Sequence, residues 1–79
     1  MRYYFNVRDG KAMLDEEGME CDGMVEVKQE ALQSSVELLR SPRGEHFWAG
    51  EPWLLWVTDQ PNGGGNTFLT LTFSSRLSG

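Results

Sequence analysis

Tyr3-Tyr4-Phe5-Asn6-Val7-Arg8-Asp9-Gly10 is the stretch that decides the fold. Its residues favour strands, and alternation sets Tyr3, Phe5 and Val7 on one face and Tyr4, Asn6 and Arg8 on the other. Asp9-Gly10 then supplies the backbone freedom of a tight hairpin turn. Lys11-Ala12-Met13-Leu14-Asp15 is expected to return antiparallel, with Ala12 and Leu14 facing in and Met13 facing out. A hairpin with one apolar face needs something to cover that face.

The cover follows directly in the chain. Glu16-Glu17-Gly18 breaks the strand pattern, and Asp22 is placed to cap a helix by accepting from backbone N–H groups of its first turn. The spacing predicts that helix over Gly23 to Arg40. At about 100° per residue, Met24, Val27, Ala31, Leu32, Ser35, Leu38 and Leu39 share one broad side, with Val25 and Val36 at its edge. Glu26, Gln29, Glu30, Gln33, Glu37 and Arg40 take the opposite arc, while Lys28 snorkels from within the apolar one. Ser41-Pro42-Arg43-Gly44 is expected to end the helix, because Pro42 disfavours helical geometry at Ser41.

Glu45 to Pro52 reads as a loop, with Phe47 and Trp48 laid over a core edge. Trp53 to Thr58 is a third strand, Gln60 to Asn66 a turn, and Thr67 to Phe73 a fourth strand. In the last, Leu69, Leu71 and Phe73 face in, and Thr70 and Thr72 out. The fold class is therefore α+β in the order β-β-α-β-β: a four-stranded, mainly antiparallel sheet with one amphipathic helix on one face. Residues 1–79 form one domain, ordered from about residue 2 to residue 73, with 74–79 expected to fray.

A chain of 79 residues buries only roughly 60–65% of its unfolded surface. Such a core leaves about 3–5 kcal/mol of net stability without a staple. Cys21 is the only cysteine and His46 the only histidine, so an intramolecular disulfide and a four-ligand Cys/His zinc site are both excluded. Association with a second copy is the expected supplement. The opening residues reach polar Asn6 almost at once, so no apolar signal-peptide core is expected. No stretch approaches the ~20 apolar residues of a membrane span. The expected setting is cytoplasmic and reduced.

Twelve acidic against seven basic side chains give a net charge of −5, which repels phosphate backbones and weighs against nucleic acid as a partner.

Four parts of the chain together resemble a known family. They are the opening Tyr3-Tyr4-Phe5-Asn6-Val7-Arg8-Asp9-Gly10, the segment Asp15-Glu16-Glu17-Gly18-Met19-Glu20, a helix with Glu30-Ala31-Leu32 and Leu38-Leu39, and Val57-Thr58-Asp59 before the last strand. The chain is similar over nearly its whole length to a group of small bacterial proteins classed as a domain of unknown function. It departs from that pattern at Cys21-Asp22-Gly23, where a Leu-Pro-Asp-like lead into the helix is usual, and in the long Pro61–Asn66 turn. The resemblance implies the architecture and assigns no catalytic or binding residue.

Chemistry-bearing residues are sparse. Cys21 and His46 are the only thiol and imidazole, and no third group orients them. Asp15, Glu16, Glu17, Glu20 and Asp22 form an acidic run that fails the twelve-residue calcium-loop pattern and reads as a solvated connector. Gly63-Gly64-Gly65 lies between strands without a following Lys, so it reads as a hairpin tip and not a phosphate loop. No catalytic residue, metal ligand or cofactor site is expected.

The outer sheet face carries the candidate interaction surface: Tyr4, Asn6, Arg8, Met13, Leu54 and Trp56. An apolar patch there marks contact with something. The expected function is a small intracellular protein-interaction module, either a homodimer or an adaptor for another protein, working through this face or an edge strand. The alternative is a small ligand-binding or enzymatic domain with Arg8, Asp9, Asp15 and His46 converging on a pocket. A single-stranded nucleic-acid platform built on Arg2, Arg8 and Tyr4 ranks third, because a basic stripe is missing.

Overall fold

The computed structural model describes residues 1–40 and 45–78; the helix stop expected at 41–44 lies outside them. Strand β1 (Arg2–Asp9) and strand β4 (Trp53–Thr58) form the centre of the sheet. β1 turns through Gly10, at φ +77°, into β2 (Lys11–Met13). After an interruption at 14–18 the same edge resumes as β3 (Met19–Glu20), a short strand that the sequence reading missed. β5 (Thr67–Phe73) lies on the far side of β4, so the order is β2-β1-β4-β5 with every pair antiparallel.

Helix α1 (Met24–Leu39) joins β3 to β4. Both of those strands run antiparallel to β1, so they are parallel to each other and α1 is a crossover above the sheet. Such crossovers are almost always right-handed. The fold is α+β, as the alternation and the single amphipathic helix implied.

The inner face follows the strand parity. Tyr3, Val7, Trp53, Leu55 and Val57 are buried against Val27 and Ala31 of α1, with Phe5, Leu69, Leu71 and Phe73 packed around them. Trp53 meets Phe73 edge-on at 5.8 Å. The buried stripe of α1 is narrower than expected: Val27, Ala31 and Ser35. Ser35 satisfies its hydroxyl on the Ala31 carbonyl one turn back, at 2.7 Å. Leu32 and Leu38, expected inside, are 53% and 42% exposed. Small Ala31 and Ser35 line the contact with the sheet, and the larger leucines stay at its flanks.

Three further expectations are corrected. Asp22 does not cap α1: the N-cap is Gly23 without a side-chain bond, and the Glu26 carboxylate instead accepts from the Asp22 N–H at 3.3 Å. In β2 the register sets Met13 opposite Val7 and Ala12 opposite Arg8. Directly opposed residues point to one face, so Met13 belongs to the helix side and Ala12 to the outer side. The tip at Gly10 is tight enough to pair Asp9 with Lys11, and that shortened turn reverses the parity assumed for the return strand. The segment 45–52 holds a four-residue helical turn, α2 (Glu45–Trp48), where a plain loop was expected.

The outer face holds a buried polar centre. Asn6 is fully buried although it faces away from α1. Its Oδ1 accepts from the Asp15 N–H at 3.0 Å, and its Nδ2 donates to the Trp56 carbonyl and to Thr58 Oγ1, both at 3.2 Å. Thr58 Oγ1 donates onward to the Gln60 carbonyl at 3.0 Å. The Asp15 carboxylate accepts from Phe5 N–H at 3.0 Å and from Glu17 and Gly18 N–H at 3.1 and 3.2 Å. Where the returning edge leaves β1, side chains therefore stand in for the missing ladder bonds.

An unpaired buried donor or acceptor costs about 1–3 kcal/mol. Asn6→Leu leaves the Asp15 N–H without its acceptor and takes a donor from the Trp56 carbonyl and Thr58 Oγ1, so a loss of roughly 1–3 kcal/mol is expected in urea unfolding. A loss under about 0.5 kcal/mol would show that the centre is dispensable.

Candidate interaction surface

The candidate residues on the outer face are not left bare together. The β4–β5 turn contains a short 3-10 segment, Pro61–Gly63, in which Asn62 and Gly63 both adopt positive φ, +59° and +75°. That conformation suits Asn and Gly, and it folds the turn back until the Asn62 N–H reaches the Asp15 carbonyl at 2.8 Å. A Cβ built on Gly63 would stand 3.3 Å from a Leu14 methyl and 3.9 Å from Trp56 Nε1. Trp56 thus lies beside this turn. Tyr4 packs against Gly18, where a Cβ would come within 2.7 Å of its ring.

Asn6 is internal, Tyr4, Leu54 and Trp56 are half-buried, and Arg8 is exposed. Met13 is exposed on the other face. Trp48, expected over a core edge, is 62% exposed, whereas Phe47 reaches the core and meets Trp48 edge-on at 4.9 Å. The Ser75 hydroxyl donates to the Phe47 carbonyl.

Of the four polar residues considered for a pocket, Asp9 and His46 share a hollow, while Arg8 and Asp15 lie apart from it. Arg8, Gly10, Glu51, Pro52 and Leu54 line a hollow of about 310 Å³. Asp9, Lys11, Met13, Glu45 and His46 line another of about 360 Å³, where Asp9 Oδ1 is buried without a partner among the described residues. Asp15 is committed to backbone donors elsewhere. Among the described residues no group of three or more His, Cys, Asp or Glu could hold a metal ion. No helix there is long and apolar enough to cross a membrane.

Cys21 is buried at the end of β3, its N–H bonded to the Met1 carbonyl at 3.0 Å. His46 instead lies against Gly10, with Nδ1 3.6 Å from Glu51. The eight residues of β1 separate these two ends of the sheet by about 25 Å, so thiol and imidazole do not form a pair.

The two sheet edges differ sharply. The β2/β3 edge is broken at 14–18 and bears Lys11, Glu16, Glu17 and Glu20, with Glu20 paired to the Met1 ammonium at 2.8 Å. Interruption and charge are the usual guards of an edge. β5 has neither: Thr67-Phe68-Leu69-Thr70-Leu71-Thr72-Phe73 carries no charge, Pro or Gly. Among the described residues its main chain pairs only with β4. The register skips Phe68 between Val57 and Thr58, a bulge that turns its ring edge-on to Tyr3 at 5.6 Å. From Leu69 to Phe73 the strand is regular. Sequence reasoning named an edge strand without choosing one; the absence of charge in 67–73 was the available signal.

The pattern of a family described as a domain of unknown function, DUF6894, matches residues 2–74. The chain belongs to this family. Comparison with curated proteins returned no match, and comparison with solved structures returned none either. The DUF6894 match runs from β1 through β5 and takes in α1 and α2, so the polar centre and the open β5 edge lie within the family's own extent.

Burial pushes the Cys21 thiol up from its ordinary 9.0, with Glu26 and then Glu30 adding to the effect. An acid whose folded pKa is raised loses a proton more readily when unfolded. Its stabilising effect is thus full below the unfolded pKa and lost as pH rises through the folded one. The urea midpoint is expected to fall as pH rises above the ordinary thiol range of about 8.5–9, more steeply than in Cys21→Ala. Equal slopes, or labelling of the native thiol as fast as the unfolded one, would contradict this burial.

Proposed function

We propose that this DUF6894 domain is a small cytoplasmic protein-interaction module that takes an extended strand along β5. The observation that carries the reading is the contrast between edges: a guarded β2/β3 and a regular, uncharged β5. Strand addition draws affinity from main-chain bonds and specificity from alternate side chains. On β5 those are the exposed Thr70 and Thr72 on one face and the half-buried Leu69, Leu71 and Phe73 on the other. Pairing would also finish the burial of these three.

A ligand-binding or enzymatic role has less support, since Asp15 serves the backbone while Arg8 and His46 line separate hollows. The outer face also offers less than its composition suggests, with Asn6 internal and Trp56 beside the 61–63 turn.

A labelled peptide reproducing residues 67–73, flanked by lysines for solubility, is the probe. Binding at roughly 10–100 µM is expected, with slowed hydrogen exchange in β5. Thr70→Lys with Thr72→Lys, both at exposed positions, is expected to abolish it while leaving the fold intact. Absence of binding at about 1 mM, in a chain that light scattering shows to be monomeric, would refute the edge reading.

A further inference from the structure

We infer that the partner of the β5 edge is a second copy of this chain, joined about a two-fold axis through Leu71 so that an exposed apolar stripe on each α1 meets its mate. This rests on the edge reading above and specifies its partner.

The strand supports a symmetric register. A two-fold interface is isologous, so residue i meets j and j meets i. Centred on Leu71, the regular segment pairs completely: Leu69 with Phe73, Leu71 with itself, and Thr70 with Thr72. Apolar residues oppose apolar ones on the inner face, and threonines oppose threonines outside, both favourable cross-strand combinations. The bulge at Phe68 falls outside the paired segment. Centring one residue earlier would draw the bulge into the ladder.

The helix supplies the second contact. An antiparallel two-fold pairing of edges keeps both helices on one face of the continuous sheet. α1 lies across β4 and β5. With strands ~4.8 Å apart, a helix seated between them stands about 5 Å from the axis, and two such helices about 10 Å from each other. That is the separation of packed helices.

The stripe also faces the right way. In a right-handed crossover, the Glu26 and Glu30 flank of α1 turns toward β3, in keeping with their action on Cys21 at the end of that strand. The opposite flank, turned toward β5, carries Val25, Leu32 and Val36, which are 73%, 53% and 43% exposed. A hollow of about 460 Å³ runs past Leu32 and Val36 and is lined also by Gln29, Gln33, Glu37 and Arg40.

The symmetric register and the exposed area favour a second copy as the occupant, and charge limits where it can dock. The three side chains offer on the order of 300 Å² per copy, a useful share of the ~800 Å² per partner in a standard interface, which a five-residue strand pairing alone would not reach. Each copy carries a net charge of −5, so two copies repel over most approaches. β5 holds no charge, and on the flank of α1 turned toward it the exposed Lys28, spaced between Val25 and Leu32, is a cation, so the repulsion is least there.

The experiment mixes two single variants of the full chain, Thr70→Cys and Thr72→Cys, under mild oxidation with the buried Cys21 in place. Directly opposed strand residues sit about 4.5–5.5 Å apart at Cα, within disulfide reach. The mixture is expected to form a linked heterodimer while neither variant links to itself. Self-linking of Thr70→Cys alone would move the axis to residue 70, that of Thr72→Cys alone to residue 72, and either would overturn the register. Leu32→Glu, at an exposed position, is expected to raise the dimer dissociation constant at least tenfold by light scattering, with unchanged circular dichroism; no change would overturn the helix contact. A wild-type chain that stays monomeric at about 500 µM would overturn the second copy as partner, and the peptide titration would then show separately whether the edge still accepts a strand.

Discussion

The structure depends on the bond between Asn6 and Asp15. One buried amide, placed on the face that a helix does not cover, joins the central strands to two non-strand segments: 14–18 through the Asp15 N–H, and the β4–β5 turn through Thr58 and Gln60. A second tie runs from the Asn62 N–H to the Asp15 carbonyl. Without these bonds the hairpin return at Leu14 would have no reason to leave the ladder and rejoin it at Met19. Low dielectric makes such a centre strong when complete and costly when broken. It acts as a polar counterpart to the apolar core beneath α1, and it lets a 79-residue chain order the sheet face that α1 does not cover.

What the sequence made legible follows from which interactions are local. Alternation in 3–8, 53–58 and 67–73 and the helical spacing after Gly23 each report one face of one element, and those elements formed as read. The parity of Lys11–Met13 was not legible, because it hangs on the geometry of one glycine, Gly10, which pairs Asp9 with Lys11. Asn6 looked like an exposed polar residue because its acceptors and donors come from residues 9 and about 50 positions away. The exposed side chains Leu32 and Val36 are apolar, so a wheel alone placed them at or near the core. Packing against the sheet by small Ala31 and Ser35 decides which side of the helix goes in.

The same segment that builds the polar centre also decides which edge is open. Breaking the β2/β3 edge at 14–18 places acidic side chains along it and removes a continuous row of main-chain donors, which is how folded sheets avoid unwanted pairing. The opposite edge receives no such treatment. Its single irregularity, the Phe68 bulge, sits at one end and serves Tyr3, leaving Leu69 to Phe73 straight. The asymmetry therefore arises from the order of elements: the turn that docks on Asp15 draws the start of β5 inward, and nothing in the described chain after Phe73 returns to cover its far side.

An open edge beside partly exposed core-flanking residues couples stability to association. Leu69, Leu71 and Phe73 pack against the buried cluster yet keep part of their surface in water, and burial of apolar area contributes roughly 25 cal/mol per Å². Whatever pairs with β5 binds the folded chain and not the unfolded one, so its binding adds directly to folding stability by mass action. A domain this small, with one unpaired cysteine, gains more from that coupling than a larger one would. The uncharged strand is thus the place where folding and recognition draw on the same surface, and a substitution that guards it with charge would separate the two.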